Sequence, residues 1–292
     1  MIIVIVGPTG VGKTKLSIEL AKIYNGEVIN ADSTQIYKNL DIATAKVTDE
    51  EKEGIIHHLI DIKNIDEDYT VYNYQLDCRK KIEEILSKNK TPIIVGGTGL
   101  YINAVLYDYK FEEETCDNSY GKNSTSDLYQ RLITIDPNTN IHKNNRKRII
   151  RALNYYQNNN KLMSEKEKAK NMLYDAYIVG LTTSREILYD RINKRVDKML
   201  ENGLENEAKR IYNTNIRSKA VMTPIGYKEL FQYFDNNITK EEAIELIKKR
   251  SRNYAKKQYT WFNNKLDVKW FDVNFNNFDE TVNDVKKYIE GE

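Results

Sequence analysis

Short apolar runs alternate with amphipathic runs along the first third of the chain. Residues 2–6 are uniformly apolar, as expected of a strand buried on both faces of a sheet. Residues 13–24 repeat apolar side chains at helical spacing and predict a helix. The same reading predicts, in order, a strand at 27–30, a polar helix near 50–54, a strand at 57–62, a helix at 71–87, a strand at 92–95 and a helix at 98–106. Such alternation is typical of a parallel sheet with helices on both faces.

The pattern changes after Tyr109. A polar linker is predicted at 112–126, followed by helices at 128–135 and 145–156 and a polar stretch at 161–172. The apolar strand pattern then returns at 177–181, before helical regions at 185–213 and 240–261, a strand at 268–273 and a helix at 281–289. We therefore predict an α/β fold, with a discontinuous core of residues 1–111 and 173–292 and a mostly helical insertion of residues 112–172.

Composition limits the class of protein. Of the 292 residues, 30% are charged and 40% are hydrophobic, which suits a chain that buries a core. No run of apolar residues is long enough for a membrane span, and a strand that begins at Met1 leaves no room for a signal peptide. Cys78 and Cys116 lack metal-type spacing. We expect a cytoplasmic protein without a membrane partner, and a monomer.

A glycine-rich loop directly follows the first predicted strand. It has the pattern Gly-x-x-x-x-Gly-Lys-Thr of a phosphate-binding P-loop, and consists of Gly7, Pro8, Thr9, Gly10, Val11, Gly12, Lys13 and Thr14. Backbone N–H groups of residues 9–13 are expected to bind phosphate oxygens at the start of the next helix. Lys13 adds a positive charge, and the Thr14 hydroxyl is a candidate ligand of Mg²⁺. The loop predicts a site for a di- or triphosphate.

The chain lacks the carboxylate that nucleotide hydrolysis needs after a later strand, because the strand at 92–95 ends in glycines. Asp32 instead follows the strand at 27–30, at the sheet edge that carries Lys13 and Thr14. It could bind metal or accept a proton, or it could cap a following helix in a capping box with Gln35. Residues 96–99, Gly-Gly-Thr-Gly, form a second glycine turn. Its backbone could approach a ligand closely, with Thr98 as a polar contact, or the turn could only connect a strand tightly to a helix.

Basic residues cluster in two places. On a helix, Lys147, Arg148 and Arg151 would share a face suited to nucleic-acid phosphates, although a solvated helix face is the commoner use of such residues. Residues 248–262 interleave basic and aromatic side chains; the aromatics could stack on bases or pack in the core. His57 and His58 lack further metal ligands at suitable spacing, which favours a structural role.

With these segments assembled, the chain resembles the tRNA dimethylallyltransferase (isopentenyl-tRNA transferase) family over nearly its full length. The resemblance lies in the order and joint occurrence of residues 7–14 (GPTGVGKT), 30–37 (NADSTQIY), 41–46 (DIATAK), 57–61 (HHLID), 95–101 (VGGTGLY), 148–153 (RIIRAL), 225–229 (IGYKE) and 254–262 (YAKKQYTWF).

The resemblance implies transfer of a dimethylallyl group from dimethylallyl diphosphate to N6 of the adenosine 3′ to a tRNA anticodon. The P-loop would then hold the diphosphate, with Mg²⁺ on Thr14, and the anticodon stem-loop would be the RNA partner. The implied catalytic residues are Lys13, Thr14, Asp32 as general base, and Thr98. The implied tRNA-binding residues are Asp32, Ser33, Thr34, Gln35, Thr98, Lys147, Arg148, Ile149, Ile150 and Arg151.

The sequence departs from the family pattern at three places. Thr223 stands where some members have an arginine that contacts the diphosphate, and Arg252 or Lys256 could replace that contact. Residues 112–144 are short for the family, and Asn263 replaces a further arginine. Three other functions stay open: prenyl transfer to free adenine nucleotides, a small-molecule P-loop kinase, and a non-catalytic RNA-binding protein.

Overall fold

The structure is a computed structural model that describes residues 1–111, 120, 123–165 and 171–291. It divides into two compact units. One comprises Met1–Tyr107 and Met172–Glu292, and the other comprises Asp108–Asn171. These boundaries lie close to the predicted ones, 1–111 with 173–292 and 112–172.

Six strands of the described chain form one parallel sheet in the larger unit, in the order β3-β2-β4-β1-β5-β6. The strands are β1 (Ile2–Val6), β2 (Gly26–Asn30), β3 (His57–His58), β4 (Thr91–Val95), β5 (Ala176–Thr182) and β6 (Lys269–Asp272). The α/β fold with a parallel sheet is therefore confirmed. The strand predicted at 57–62 is only two residues long, since Leu59 and Asp61 have positive φ angles of 60° and 56°.

The described helices of the larger unit are α1 (Lys13–Ile23), α2 (Val71–Ser87), α3 (Gly99–Leu106), α6 (Arg185–Glu201), α7 (Leu204–Asn213), α8 (Lys219–Met222), α9 (Tyr227–Phe234), α10 (Lys240–Lys265) and α11 (Phe278–Glu290). The prediction of a helix near residues 50–54 is wrong, because this segment forms turns. The region predicted as helical at 185–213 forms two helices, α6 and α7. Gly203 lies between them with a φ of 96°, which is outside the helical range.

The strands of the larger unit separate two hydrophobic clusters. Ile2, Val4 and Val6 lie in one cluster, whereas Ile3 and Ile5 lie in the other. Because successive side chains of a strand point to opposite faces, both faces of β1 are buried, and this is why its sequence is uniformly apolar.

Parallel pairing brings the carboxyl ends of β1, β2 and β4 to one edge. Ile5 is level with Val95, and Asn30 is also level with Val95. The loops that begin at Gly7, Ala31 and Gly96 therefore start side by side. No helix of the described residues is long and apolar enough to cross a membrane.

The smaller unit contains α4 (Thr125–Ile135), α5 (Arg146–Asn159) and a 3-10 turn at Met163–Glu165. Its core is formed by Tyr120, Leu128, Leu132, Ile149, Ala152 and Leu153. The linker predicted at 112–126 lies mostly outside the described residues, as do five residues of the polar stretch at 161–172 and part of the region judged short for the family at 112–144.

Candidate active site

The P-loop folds around glycines at positive φ angles. Gly7, Gly10 and Gly12 have φ angles of 140°, 83° and 105°, and Gly12 directly precedes α1. A side chain at Gly7 is excluded in addition by Leu181, whose carbonyl oxygen lies 2.7 Å from the position of a Cβ. One expected phosphate donor is engaged, since the N–H of Thr9 donates to Oε1 of Gln258 at 2.9 Å. The phosphate-binding prediction therefore rests on the loop beyond Thr9.

Lys13 lies half-buried on the wall of a cavity of about 670 Å³. Its Nζ donates to the Pro8 carbonyl at 2.8 Å. Desolvation by burial, together with the nearby positive charge of Arg195, lowers the pKa of Lys13 to about 7, while Asp32 acts weakly in the opposite direction. Two cations held close together in this way suit an anionic ligand, which would compensate both charges.

A basic stripe of α6 lines the same cavity. It consists of Arg191, Lys194, Arg195 and Lys198. Arg195 donates to Oγ1 of Thr9 at 3.0 Å, and Nε of Arg191 donates to the Gly10 carbonyl at 3.0 Å. Sequence reasoning missed this stripe, although its spacing of three and four residues within a predicted helix was a usable signal.

The substitutes suggested for the arginine missing at Thr223 are not supported. Neither Arg252 nor Lys256 is among the described residues that line the cavities at this edge. Arg252 instead donates to Oδ1 of Asn193 at 2.6 Å. The described arginines that contact the P-loop, Arg191 and Arg195, come from α6.

Asp32 lines the cavity together with Lys13 and Thr14, as predicted from the shared sheet edge. Its Oδ1 accepts hydrogen bonds from the Thr34 N–H at 2.9 Å and the Thr34 hydroxyl at 2.7 Å. The capping-box alternative with Gln35 is wrong, because no helix follows and the Gln35 side chain donates elsewhere. Asp32 is a carboxylate held on a turn, facing a cation-lined cavity.

The glycine turn after β4 serves chain packing. A Cβ at Gly96 would lie 2.2 Å from the Ala31 carbonyl carbon, and one at Gly99 would lie 2.1 Å from Trp261. Thr98 joins this turn to the Asp32 segment, because its Oγ1 accepts from the Ser33 N–H at 3.0 Å. A tight connection is thus present at Gly96 and Gly99, but Gly96 and Gly97 also line the larger cavity, so the alternative of ligand approach stays a prediction. Thr98 lines neither cavity and fixes the backbone next to Asp32.

A second cavity of about 140 Å³ adjoins the first. Its apolar lining comes from Ile192, Val196, Met199, Pro224, Ile225 and Ile247. The two cavities share the wall residues Thr9, Asp32, Thr44, Ala45, Arg195, Met199 and Tyr254. The geometry therefore places the Asp32 carboxylate at the boundary between a cationic compartment and an apolar one.

The aromatic residues of α10 have different roles. Phe262 is fully buried and Trp261 packs on Gly99, so both serve core packing. Tyr254 is 37% exposed and lines both cavities. It alone of these three described rings is placed to stack on a ligand.

His58 contacts the protein framework, in agreement with a structural role, whereas His57 also lines the larger cavity, and its role stays a prediction. Nε2 of His58 lies 2.7 Å from Oε2 of Glu27, which also pairs with Lys90 at 2.8 Å. Nδ1 of His57 lies 2.9 Å from the Ile55 carbonyl oxygen. Among the described residues, no group of three or more His, Cys, Asp or Glu could hold a metal ion.

Residues 147–151 lie on α5, in the smaller unit. Lys147, Arg148 and Arg151 are exposed, and Ile150 is half-buried. Ile149 is fully buried in the core of that unit, and the tRNA contact that the resemblance implies for it stays a prediction.

Comparisons with known proteins all point to one family. A family model described as IPP transferase matches residues 35–265. A tRNA dimethylallyltransferase of Anoxybacillus flavithermus is 48% identical over 299 residues, covering 99% of this chain and 96% of that protein. One of Bacillus cytotoxicus is 50% identical over 302 residues, covering 99% and 95%.

Solved structures are similar as well. The tRNA isopentenylpyrophosphate transferase of Bacillus halodurans has a TM-score of 0.77 at 43% identity, over 99% of this chain and 95% of its own. A eukaryotic dimethylallyltransferase described as acting on tRNA has a TM-score of 0.87 at 31% identity, over 100% of this chain and 80% of its own.

Proposed function

We infer that this chain, which belongs to the IPP transferase family, is a transferase that modifies tRNA. The reaction that we propose is transfer of a dimethylallyl group from dimethylallyl diphosphate to N6 of the adenosine 3′ to the anticodon. Diphosphate is the product released. The observation that carries this proposal is the position of Asp32, on the wall between a cation-lined cavity and an apolar one.

The cation-lined cavity suits the diphosphate of the donor. Lys13 and Arg195 face it, and Arg191 orders the loop through the Gly10 carbonyl. The apolar cavity suits the five-carbon group, since Ile192, Val196 and similar side chains exclude water there. In this placement the carbon–oxygen bond to be broken lies close to the shared wall.

The bond changes balance without any further reactant. The carbon–oxygen bond of the donor breaks, and its electron pair stays on the diphosphate oxygen, where Lys13 and Arg195 stabilise the negative charge. The N6 lone pair of adenine forms the new carbon–nitrogen bond. The Asp32 carboxylate then accepts the proton that the amine loses.

Mg²⁺ fits this site as an ion shared with the substrate. Thr14 is exposed and lines the cavity; its hydroxyl would bind the ion, and oxygens of the diphosphate would complete the coordination, as is common for Mg²⁺. When bound, Mg²⁺ would supply additional positive charge beside the leaving group.

The polymer substrate is supported by the smaller unit. Its exposed Lys147, Arg148 and Arg151 suit phosphate contacts with an anticodon stem-loop. The adenosine must leave its base stack to reach Asp32, and Tyr254 offers an exposed ring beside that carboxylate.

Incubation with labelled dimethylallyl diphosphate, Mg²⁺ and unmodified tRNA tests the proposal, and we expect label on one adenosine of the anticodon loop. Parallel reactions with AMP, ADP or ATP as acceptor, and with γ-labelled ATP as donor, test the adenine-nucleotide prenyltransferase and the kinase. Label that enters free nucleotides but not tRNA, or phosphoryl transfer alone, would reject the proposed reaction.

A further inference from the structure

We propose that Glu207 on α7 is a positioning residue, which holds residues 41–43 so that the following residues form the wall between the two cavities. The activity readouts below rest on the proposed function, whereas the structural readout does not. Glu207 was not among the candidate residues of the sequence, and it lines neither cavity.

The Glu207 carboxylate accepts hydrogen bonds from three consecutive backbone N–H groups. Oε2 accepts from Asp41 at 3.0 Å and from Ile42 at 2.9 Å, and Oε1 accepts from Ala43 at 3.0 Å. Glu207 is only 6% exposed. A buried carboxylate is retained when charge-assisted hydrogen bonds replace its hydration, and here those bonds fix a loop of a distant segment.

The segment held in this way leads directly into the shared wall. Thr44 and Ala45 line both cavities, and Ala45 has a φ of 48°, an uncommon angle for alanine. Nε2 of Gln35 donates to the carbonyls of Thr44 at 3.1 Å and of Ala45 at 3.3 Å. The wall is therefore fixed from the Asp32 segment by Gln35 and from α7 by Glu207. These contacts add to the backbone hydrogen bonds within the turn, in which the Ala45 N–H donates to the Ile42 carbonyl and the Lys46 N–H to the Asp41 carbonyl, each at 3.0 Å.

Tyr227 couples Glu207 to the apolar cavity. Its hydroxyl donates to Oε1 of Glu207 at 2.7 Å, and it is fully buried. Ile225, two residues earlier, lines the apolar cavity, and Gly226 between them has a φ of 127°. Glu207 thus connects two parts of the cavity lining, the 44–45 wall and the turn that carries Ile225.

Glu207→Gln is the direct test, because it preserves volume but offers one acceptor oxygen and one NH₂ group. In either orientation the NH₂ group faces two of the four donors, which then lose their acceptor. We expect faster amide hydrogen exchange in a peptide that contains residues 41–43. We also expect a KM for dimethylallyl diphosphate that is higher, and a kcat that is lower, each by about tenfold, because the wall that orients both substrates is displaced.

Tyr227→Phe removes a single donor and leaves the three backbone hydrogen bonds in place. The same shifts are expected at a smaller size, about twofold to fivefold in KM. Should Glu207→Gln not fold, this volume-conserving variant decides the matter through its kinetics. Wild-type KM and kcat in Tyr227→Phe would overturn the proposal, because loss of one of the four donors to the carboxylate would then leave the cavity lining unchanged.

Glu27→Gln is the matched control, since Glu27 is also a buried carboxylate, 1% exposed, but lies near the start of β2. We expect a lower melting temperature with unchanged KM and kcat. If Glu207→Gln behaves like this control, with protected amides at residues 41–43, Glu207 is merely structural and the proposal is wrong. If the wild type transfers no prenyl group to tRNA, the proposed function fails, but amide exchange still decides the role of Glu207.

Discussion

Replacing Asp32 with asparagine removes a negative charge and a proton acceptor but leaves the local turn in place. The amide oxygen of asparagine can still accept the two hydrogen bonds that Thr34 donates to Oδ1. No described residue donates a hydrogen bond to Oδ2, so the new NH₂ group meets no donor in the protein. The variant therefore isolates the basicity of this side chain.

The expected loss follows from the role assigned to Asp32. A positioned general base contributes about 10²- to 10⁴-fold to a rate. This corresponds to about 3–5 kcal/mol in activation free energy, at about 1.4 kcal/mol for each factor of ten. We expect the single-turnover rate of prenyl transfer to fall by at least about 10²-fold.

The affinity for diphosphate, in contrast to the rate, is not expected to fall. The Asp32 charge attracts the cations around it and raises the pKa values of Lys13 and Arg195 relative to what burial alone would produce. Its removal leaves the cavity more positive. Affinity for inorganic pyrophosphate should therefore be unchanged or tighter.

Rapid-quench transfer of labelled dimethylallyl groups to tRNA measures the rate, and titration calorimetry with pyrophosphate measures the affinity. Thr34→Val is the matched control, because it removes one hydrogen bond to Asp32 and keeps the carboxylate. It should retain a rate within about tenfold of wild type. A near-normal rate in Asp32→Asn, or a loss of rate matched by a loss of pyrophosphate affinity, would refute the assignment of Asp32 as the base.

Three further predictions test other parts of the molecule. Arg195→Ala should weaken pyrophosphate binding by about 10- to 100-fold in calorimetry, since charged hydrogen bonds contribute about 1.5–3 kcal/mol; unchanged affinity would exclude Arg195 from the diphosphate site. Burial alone would raise the pKa of Glu27, but hydrogen bonds from Lys90 and His58 lower it below the unfolded value. The stability that Glu27 contributes at neutral pH should therefore be lost as pH falls through its folded pKa, and urea denaturation should be less sensitive to acid in Glu27→Gln; equal sensitivity contradicts this. Lys147→Ala should weaken tRNA binding and reduce its logarithmic salt slope by about one; an unchanged slope would argue against a phosphate contact.

The sequence predicted those features that depend on local pattern. The uniform apolar run of β1 and the glycine-lysine loop after it specify a buried strand and a phosphate site within a few residues of one another. The shared edge of parallel strands also predicts, from the sequence alone, that Asp32 lies at the same edge as Lys13. These inferences need only the period of a strand and the geometry of a parallel sheet.

The features that the sequence did not predict depend on contacts between residues far apart in the chain, or on elements too short to give a periodic pattern. Gln258 binds the Thr9 N–H from 249 residues away, and no local pattern distinguishes it from other polar residues of a long helix. α9 was not predicted, because a helix of eight residues gives too short a periodic signal. The role of Gly99 was also hidden, since the ring that excludes a side chain there belongs to Trp261 of α10.

The arrangement of charge explains how a P-loop can serve a transfer that moves no phosphoryl group. Hydrolysis needs a carboxylate that positions water at the terminal phosphate, and none follows β4, where glycines pack against Ala31 and Trp261. The acid stands instead on the wall toward an apolar cavity, where a hydrocarbon group excludes water. Cations can then stabilise the departing diphosphate while the carboxylate faces the incoming amine. The two tasks require opposite charges within one site, and the wall that the two cavities share carries both of them, on Asp32 and on Arg195.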